Sequence, residues 1–353
     1  MKKRLVFSLS LLLLGVLVLV GCSQGTTTSV SSSTTSVSSS TTTEPVIQLT
    51  YGSYLNETGP HGLATQAWIE KIEKETGNRV KITPYYSGTL ISAMGCMDEL
   101  QRGVADISMI SGQFTPSLFP LDIGTRSFYY GIPYEKQREI YFQILDEFPQ
   151  ISDEFSSVKV LCYNTSAPSH LMSVKEVRTL DDIKGMTIRL AGDVGWVKAL
   201  GAEAVNMGMG DVYLSLQKGI IDGAVAPDDT LKVYNFADVI KYRVVLDIVG
   251  ALSPLQGMNL DSWNKLPPDI QQVFEDNMEF WGKETERLNE LLLIEGLDYA
   301  TQANVESVNL SASDYERFNQ VLAEQAARIA AGLDEQGLPG SEILAEVQRL
   351  GKQ

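Results

Sequence analysis

Along this chain the apolar and polar positions switch repeatedly between the twofold alternation of strands and the 3.6-residue repeat of helices. Residues 46–53 alternate as a strand, and 62–76 form a helix with Ala64, Ala67, Trp68 and Ile72 on one face, stopped by Gly77. Residues 79–85 predict a second strand, a helix runs through Met94, Met97 and Leu100, and 103–110 predict a third strand. Residues 114–133 are rich in Phe, Tyr and Pro, after which 133–148 read as a helix and 158–163 as a strand. Three brief apolar runs punctuated by Gly follow, at 186–190, 204–207 and 223–226, with helices between them. Asp211 is placed to cap the helix at 212–218, which carries Val212, Tyr213 and Leu216 on one face and meets a left-handed stop at Gly219. Strand, helix, strand, helix, strand is the pattern of a parallel α/β unit, whose ligands lie beyond the carboxyl ends of the strands. Arg189 falls at such an end.

Downstream, 242–248 form a β-branched strand and 252–260 another extended run. Residues 261–268 open a helix with Pro in its first turn, and Ile270, Val273, Phe274, Met278 and Trp281 hold the period toward Ala300. Such a helix, about thirty residues at 1.5 Å each, would be about 45 Å long. A strand at 305–310 and helices at 314–333 and 341–350 close the chain.

Four stretches carry a family resemblance: I-K-G-M-T-I-R at 183–189, A-L-G-A-E-A-V at 199–205, D-V-Y-L-S-L-Q-K-G-I-I-D-G at 211–223 and V-I-K-Y at 239–242. Together with W-I-E-K-I-E-K-E-T-G-N-R-V-K-I from 68, S-G-T-L from 87 and G-V-A-D-I from 103, they resemble the solute-binding proteins of tripartite ATP-independent periplasmic (TRAP) transporters, dicarboxylate-binding type. The resemblance extends over residues 46 to about 320. It implies an α/β, two-lobed periplasmic-binding-protein-like fold with a hinge near 164–169 and a long helix bracing both lobes. Lobe one would comprise 46–165 plus about 253–300, and lobe two 166–252 plus the C-terminal helices at about 301–353. In that family the arginine matching Arg189 binds a substrate carboxylate, and large and small membrane subunits form a sodium-driven permease. Two departures stand out: Val225-Ala226-Pro227 replaces the frequent Glu-Asn-Pro, so Ala226 stands where an Asn would touch the carboxylate, and Ile91-Ser92-Ala93 replaces a Gly and an acidic residue.

The N-terminus bears on location. Lys2, Lys3 and Arg4 precede an apolar run at 5–20, short for a membrane span and suited to a signal peptide. Leu19-Val20-Gly21-Cys22 resembles a bacterial lipobox, so residues 1–22 read as a lipoprotein signal peptide with Cys22 acylated as the membrane anchor; a cleaved secretory leader is the alternative. Residues 23–45, almost all Ser and Thr at first, read as a disordered tether. This places the protein in the periplasm or on the outer face of the cytoplasmic membrane. With 28 basic against 44 acidic residues the net charge is −16, and loss of Lys2, Lys3 and Arg4 makes it −19. Such a body does not bind nucleic acid through charge, and any anion must be held by a local cation.

Catalytic signals are sparse. His61 and His170 fall in predicted loops without a metalloprotease pattern, the G-x-S-x-G at 21–25 sits on the lipobox, and no cofactor-binding glycine motif occurs. Cys96 and Cys162 read as separate buried thiols, with a disulfide as the alternative, and no Cys/His cluster supplies a metal ligand set. The expectation is a receptor with no cofactor, metal or catalytic residue; a receptor for an ABC importer or sensor kinase, and a secreted lipoprotein enzyme, are the alternatives. Arg189 is the carboxylate anchor that the resemblance implies, against a solvated charge on the residues alone. Trp196 and Tyr213 are candidates for the cleft wall or for core. Asp228, with Asp193 and Asp229, is a candidate acceptor for ligand hydroxyl or amino groups, or a helix cap. Ser53 and His61 sit in segments that open onto the cleft from lobe one.

Overall fold

A computed structural model describes residues 45–353 except 165–166, 193–194 and 249–252, and leaves the side chains of 253–255 aside. The expected signal peptide, the expected acylation site at Cys22 and the expected tether up to residue 44 therefore lie outside the described residues. In chain order, lobe one begins with β1 (Ile47–Gly52), α1 (Pro60–Glu75), β2 (Val80–Tyr85), α2 (Cys96–Gln101) and β3 (Ile107–Met109). A helical stretch follows, α3 (Pro120–Arg126), α4 (Tyr134–Glu147) and the single turn α5 (Gln150–Asp153), before β4 (Val158–Asn164). Lobe two holds β5 (Ser169–Ser173), β6 (Thr187–Leu190), α6 (Gly195–Ala199), β7 (Glu203–Asn206), α7 (Val212–Gln217), β8 (Gly223–Pro227), α8 (Thr230–Val233) and β9 (Tyr242–Ile248). The chain returns to lobe one as β10 (Ser253–Asn259), α9 (Leu260–Asn264) and α10 (Pro268–Asp276). Helix α11 (Met278–Gln302) then leads back to β11 (Glu306–Asn309) in lobe two, and α12 (Ala312–Asp334) and α13 (Gly340–Gly351) end the chain.

Two sheets result. Lobe one has the strand order β2-β1-β3-β10-β4, and lobe two β11-β9-β5-β8-β6-β7. In each, the strands made within one α/β run pair in parallel, as β1 does with β2 and β6 with β7 and β8. The crossing strands insert antiparallel, β10 between β3 and β4 and β5 between β8 and β9, because each arrives from the opposite lobe. Both faces of the lobe-two sheet are buried, with Ile188, Leu190, Trp196, Val244 and Phe318 in one cluster and Met172, Val212, Ala224 and Phe236 in another. That is why its strands are short apolar runs without strict alternation. In lobe one the indole nitrogen of Trp281, on α11, donates to Thr65 Oγ1 of α1 at 3.0 Å inside a core that also holds Tyr51, Trp68 and Phe274.

The expected single helix across 261–300 is three helices. Pro267 and Pro268 separate α9 from α10, and at Asn277 (φ −108°, ψ 11°) the side-chain amide donates to Val273 O at 2.8 Å, so a second break precedes α11. Helix α11 alone, about 37 Å long at 1.5 Å per residue, still packs on α1 and β4 of lobe one and on α8 of lobe two. Two glycines permit this: a Cβ at Gly282 would sit 2.5 Å from Tyr163 O, and one at Gly296 would sit 2.1 Å from Asp228 O. Gly296→Ala is expected to cost about 1–3 kcal/mol or more through backbone displacement, measured by urea unfolding against Gly332→Ala, which meets open space; equal stability of the two variants would refute the close approach.

The C-terminal helices also differ from expectation. Phe318 of α12 packs edge-on against Trp196 in lobe two (centroids 5.4 Å apart), but Ala326, Ala330 and Leu333 join Leu121, Tyr129 and Tyr141 of the α3–α4 stretch. Helix α13 belongs wholly to that second group through Ile343, Val347 and Leu350, because α3 and α4 offer the apolar partner its own face requires. His170, expected in a loop, lies in β5 and is buried. Asp211 makes no side-chain cap, and its carbonyl instead accepts from Ser215 Oγ at 2.8 Å. Cys96 and Cys162 are free, buried thiols in different core clusters.

Candidate functional site

A cleft of about 690 Å³ lies between the lobes, walled by Leu55, His61 and Asn164 of lobe one, Arg189, Leu190 and Val225 of lobe two, and Tyr129 and Tyr130 of the helical stretch. Arg189 is the next-to-last residue of β6, where Ile188 and Leu190 fill the core and the long stem between them carries its head toward the neighbouring strand ends. The residue is buried, with 3 % of its surface exposed. Nε and Nη2 donate to Met207 O at 3.0 and 2.9 Å, and Nη1 donates to Val225 O at 3.3 Å. Burial lowers its pKa to about 10, so it stays charged at neutral pH. Among the described residues no carboxylate lies within ion-pair distance of it. Buried charges are ordinarily paired, and here the backbone holds the cation while its charge is left for something else.

Other polar groups converge on the same space. His61 sits in the first turn of α1 and not in a loop, with Nε2 3.2 Å from Asn164 Nδ2 and its ring 5.7 Å from that of Trp281. Burial lowers its pKa to about 4, so it is neutral. Asn164 Oδ1 and the Tyr129 hydroxyl are buried on the wall without a hydrogen-bond partner. Arg126, at the end of α3, is a second cation on the wall that the strand-end reasoning missed; it is ion-paired with Asp122 at 3.1 Å. The i,i+4 spacing of Asp122 and Arg126 was the available signal. Glu135 and Asp247 also line the cleft. Its apolar surface is largely aromatic, with Tyr54 edge-on to Phe114 (centroids 5.6 Å apart) on one side and Trp196 on the other.

The remaining candidates divide. Trp196 fulfils both readings, since it lines the cleft and packs on Phe318. Tyr213 does not line the cleft; it packs against the cluster around Val212 and Phe236. Ser53 is occupied locally, its Oγ accepting from Leu55 N at 3.1 Å, and is not on the wall. Ala226 is buried in that same cluster, while its neighbours Val225 and Pro227 face the cleft, because side chains alternate along β8. Asp228 is engaged in a buried ion pair, Oδ1 and Oδ2 each 2.5 Å from Arg243 Nε and Nη2, with His170 Nε2 3.3 Å away. It joins β5, β9 and the end of β8 and is not an acceptor on the cleft. Asp193 lies outside the described residues.

Asp229 takes a different environment from its neighbour. It is buried beside a smaller cavity of about 70 Å³ that shares Leu55, His61, Met209 and Pro227 with the cleft. Burial, and then the charge of Asp228, raise its pKa to about 7. Glu154 is likewise raised to about 7 by burial, against the amides of Asp122 and Leu121 that lower it. A carboxyl that keeps its proton in the folded state but ionises near 4 when unfolded favours folding at low pH, and that contribution is lost as pH rises from about 4 to about 7. Asp229→Asn should therefore flatten part of the pH dependence of unfolding over that window, leaving the Glu154 part; an unchanged slope in urea unfolding would contradict the placement.

A cleft between two α/β lobes, faced by a backbone-held guanidinium, is the geometry of a solute receptor. The chain belongs to the bacterial extracellular solute-binding protein family 7, whose pattern it matches over residues 51–332. It is 27 % identical over 285 residues to the monocarboxylate 2-oxoacid-binding periplasmic protein of Nostoc sp., covering 78 % of this chain and 74 % of that one. Among solved structures it resembles a TRAP periplasmic solute binding protein from Desulfovibrio salexigens, with 26 % identity, a TM-score of 0.69 and coverage of 86 % of this chain and 95 % of that one. A TRAP solute binding protein from Rhodoferax ferrireducens, in complex with copurified benzoate, shares the fold at 20 % identity with a TM-score of 0.77, covering 87 % of this chain and 98 % of that one. The family expected from the motifs at 183–189 and 211–223 is thus established. Among the described residues no helix is long and apolar enough to cross a membrane.

Proposed function

We propose that the protein is the extracytoplasmic receptor of a TRAP transporter, which captures a small organic acid by hinge closure and delivers it to a sodium-driven permease of large and small membrane subunits. Arg189 clamps the ligand carboxylate, and the lobes close about the hinge expected near 164–169. An acyl group on Cys22 holds the receptor at the outer face of the membrane. The observation that carries this reading is Arg189 itself: a buried cation, fixed by two backbone carbonyls, that faces a cleft and has no acidic partner among the described residues. A planar guanidinium matches a carboxylate with two parallel donors, which an ammonium cannot do. Relatives support the ligand class, since by their descriptions solved neighbours hold benzoate, orotic acid and D-glucuronate.

The test is a thermal-shift screen of the body from Thr43 onward against dicarboxylates, keto acids, sugar acids, aromatic acids and amino acids. A ligand at a hundred times its dissociation constant adds about 2.7 kcal/mol. Stabilisation confined to carboxylates is the expected result; stabilisation only by uncharged compounds would remove Arg189 as the anchor.

A further inference from the structure

The smaller cavity beside the cleft is mostly apolar but holds two buried polar side chains that no part of the clamp uses. Asp229 and Asn289 line it, each only 6 % exposed. Asn289 projects from α11, and its Nδ2 has no hydrogen-bond partner. Among the described residues no other side chain bonds to the Asp229 carboxyl, whereas the adjacent Asp228 is fully taken by Arg243 and His170. The Asp229 carboxyl is met only by the backbone amides of Asp229 and Thr230, and Asn289 Nδ2 is left unserved, which is costly unless something else bonds to it.

The cavity is also within reach of the clamp. Val225 accepts from Arg189, and Pro227, which lines both cavities, follows two residues along β8, about 7 Å away. Tyr234 lies on the smaller cavity and close enough to Arg189 and Asp229 to interact electrostatically with both. Its hydroxyl accepts from Asn56 N of lobe one at 3.3 Å, so the cavity is closed by both lobes.

We propose that this cavity is a second ligand subsite, which receives a hydroxyl group of the same acid whose carboxylate Arg189 holds, making the ligand a hydroxy acid. The inference rests on the Arg189 clamp. A hydroxyl both donates and accepts, so it can bond to the Asp229 carboxyl in either protonation state while accepting from Asn289 Nδ2. An ammonium group has no acceptor for Asn289, and a second carboxylate would meet the Asp229 charge once that carboxyl ionises above about pH 7. A volume of about 70 Å³ admits a hydroxyl-bearing carbon.

Isothermal titration of the full body with matched pairs tests this: butanoate and 4-hydroxybutanoate, pentanoate and 5-hydroxypentanoate, phenylacetate and 4-hydroxyphenylacetate, with 4-aminobutanoate as the ammonium probe. At least one hydroxy acid should bind ten times or more tighter than its parent, and 4-aminobutanoate should bind no tighter than butanoate. That ratio should collapse toward one in Asn289→Leu and in Asp229→Asn, two variants whose ligand-free melting shows whether each is folded. Equal affinity within every pair, a preference for the amino acid, or a ratio unchanged in both folded variants would overturn the subsite and leave the clamp standing. Failure of every acid to bind would overturn the clamp and the subsite together.

Discussion

Arg189→Ala is expected to abolish ligand-dependent stabilisation and to weaken binding of the cognate acid roughly a hundredfold to ten-thousandfold. The estimate takes two charge-assisted hydrogen bonds to a carboxylate at about 1.5–3 kcal/mol each, with about 1.4 kcal/mol per tenfold change. Arg189→Lys should fall between, because it keeps the charge and loses the two-pronged geometry. The ligand-free protein should behave otherwise. A buried guanidinium with no acidic partner among the described residues has its desolvation cost only partly offset by the carbonyls of Met207 and Val225, so Arg189→Met, which retains the packing of the stem, should hold ligand-free stability level or raise it. Calorimetric melting with and without ligand separates the two effects. Retained ligand stabilisation in the Ala variant would place the carboxylate elsewhere, and a large fall in ligand-free stability of the Met variant would make Arg189 a structural residue.

Asp228→Ala should be among the most damaging substitutions for folding, at about 3–5 kcal/mol, because it strands Arg243 and His170 in the core of lobe two. Burial alone would push the Asp228 carboxyl up, but the hydrogen bonds from His170 and Arg243 prevail and hold it below the usual value. Its contribution to stability is therefore present above about pH 4 and fades as pH falls further, the opposite sense to Asp229. Asp228→Asn should lose less, since it keeps the shape and one acceptor. Urea unfolding at pH 7 measures both; a cost under about 1 kcal/mol for the Ala variant would mean that the ion pair is not formed in solution.

These two aspartates show where the sequence stops being informative. Side by side in one loop, they have the same local propensity, and nothing in the chain near them tells which is paired. Arg243 and His170 come from strands that neighbour β8 or lie one further across the sheet, and only that lateral order puts them on Asp228. Ala226 and Tyr213 have the same cause: which side of β8 or α7 meets the cleft depends on where lobe one sits, not on the period of either element. The break at Asn277 was hidden because apolar residues keep their helical spacing across it, and the attachment of α13 to α3 and α4 is a matter of which exposed apolar face is nearest.

What the sequence determined by itself was local and periodic. The strand at 242–248 has the bounds that its β-branched run predicts, Gly77 and Gly219 end their helices at positive φ, and the strand-end position of Arg189 follows from β6 and its flanking turn. Motif spacing carried the family. The tertiary structure decided burial and partnership: that Arg189 has carbonyls around it and no acid among the described residues, that Asp228 is spent on an ion pair while Asp229 is not, and that Gly282 and Gly296 let one helix touch both lobes. Backbone periods are written in neighbouring residues, whereas the field and hydrogen bonds at a buried group come from segments distant in the chain, which only the packed lobes bring together.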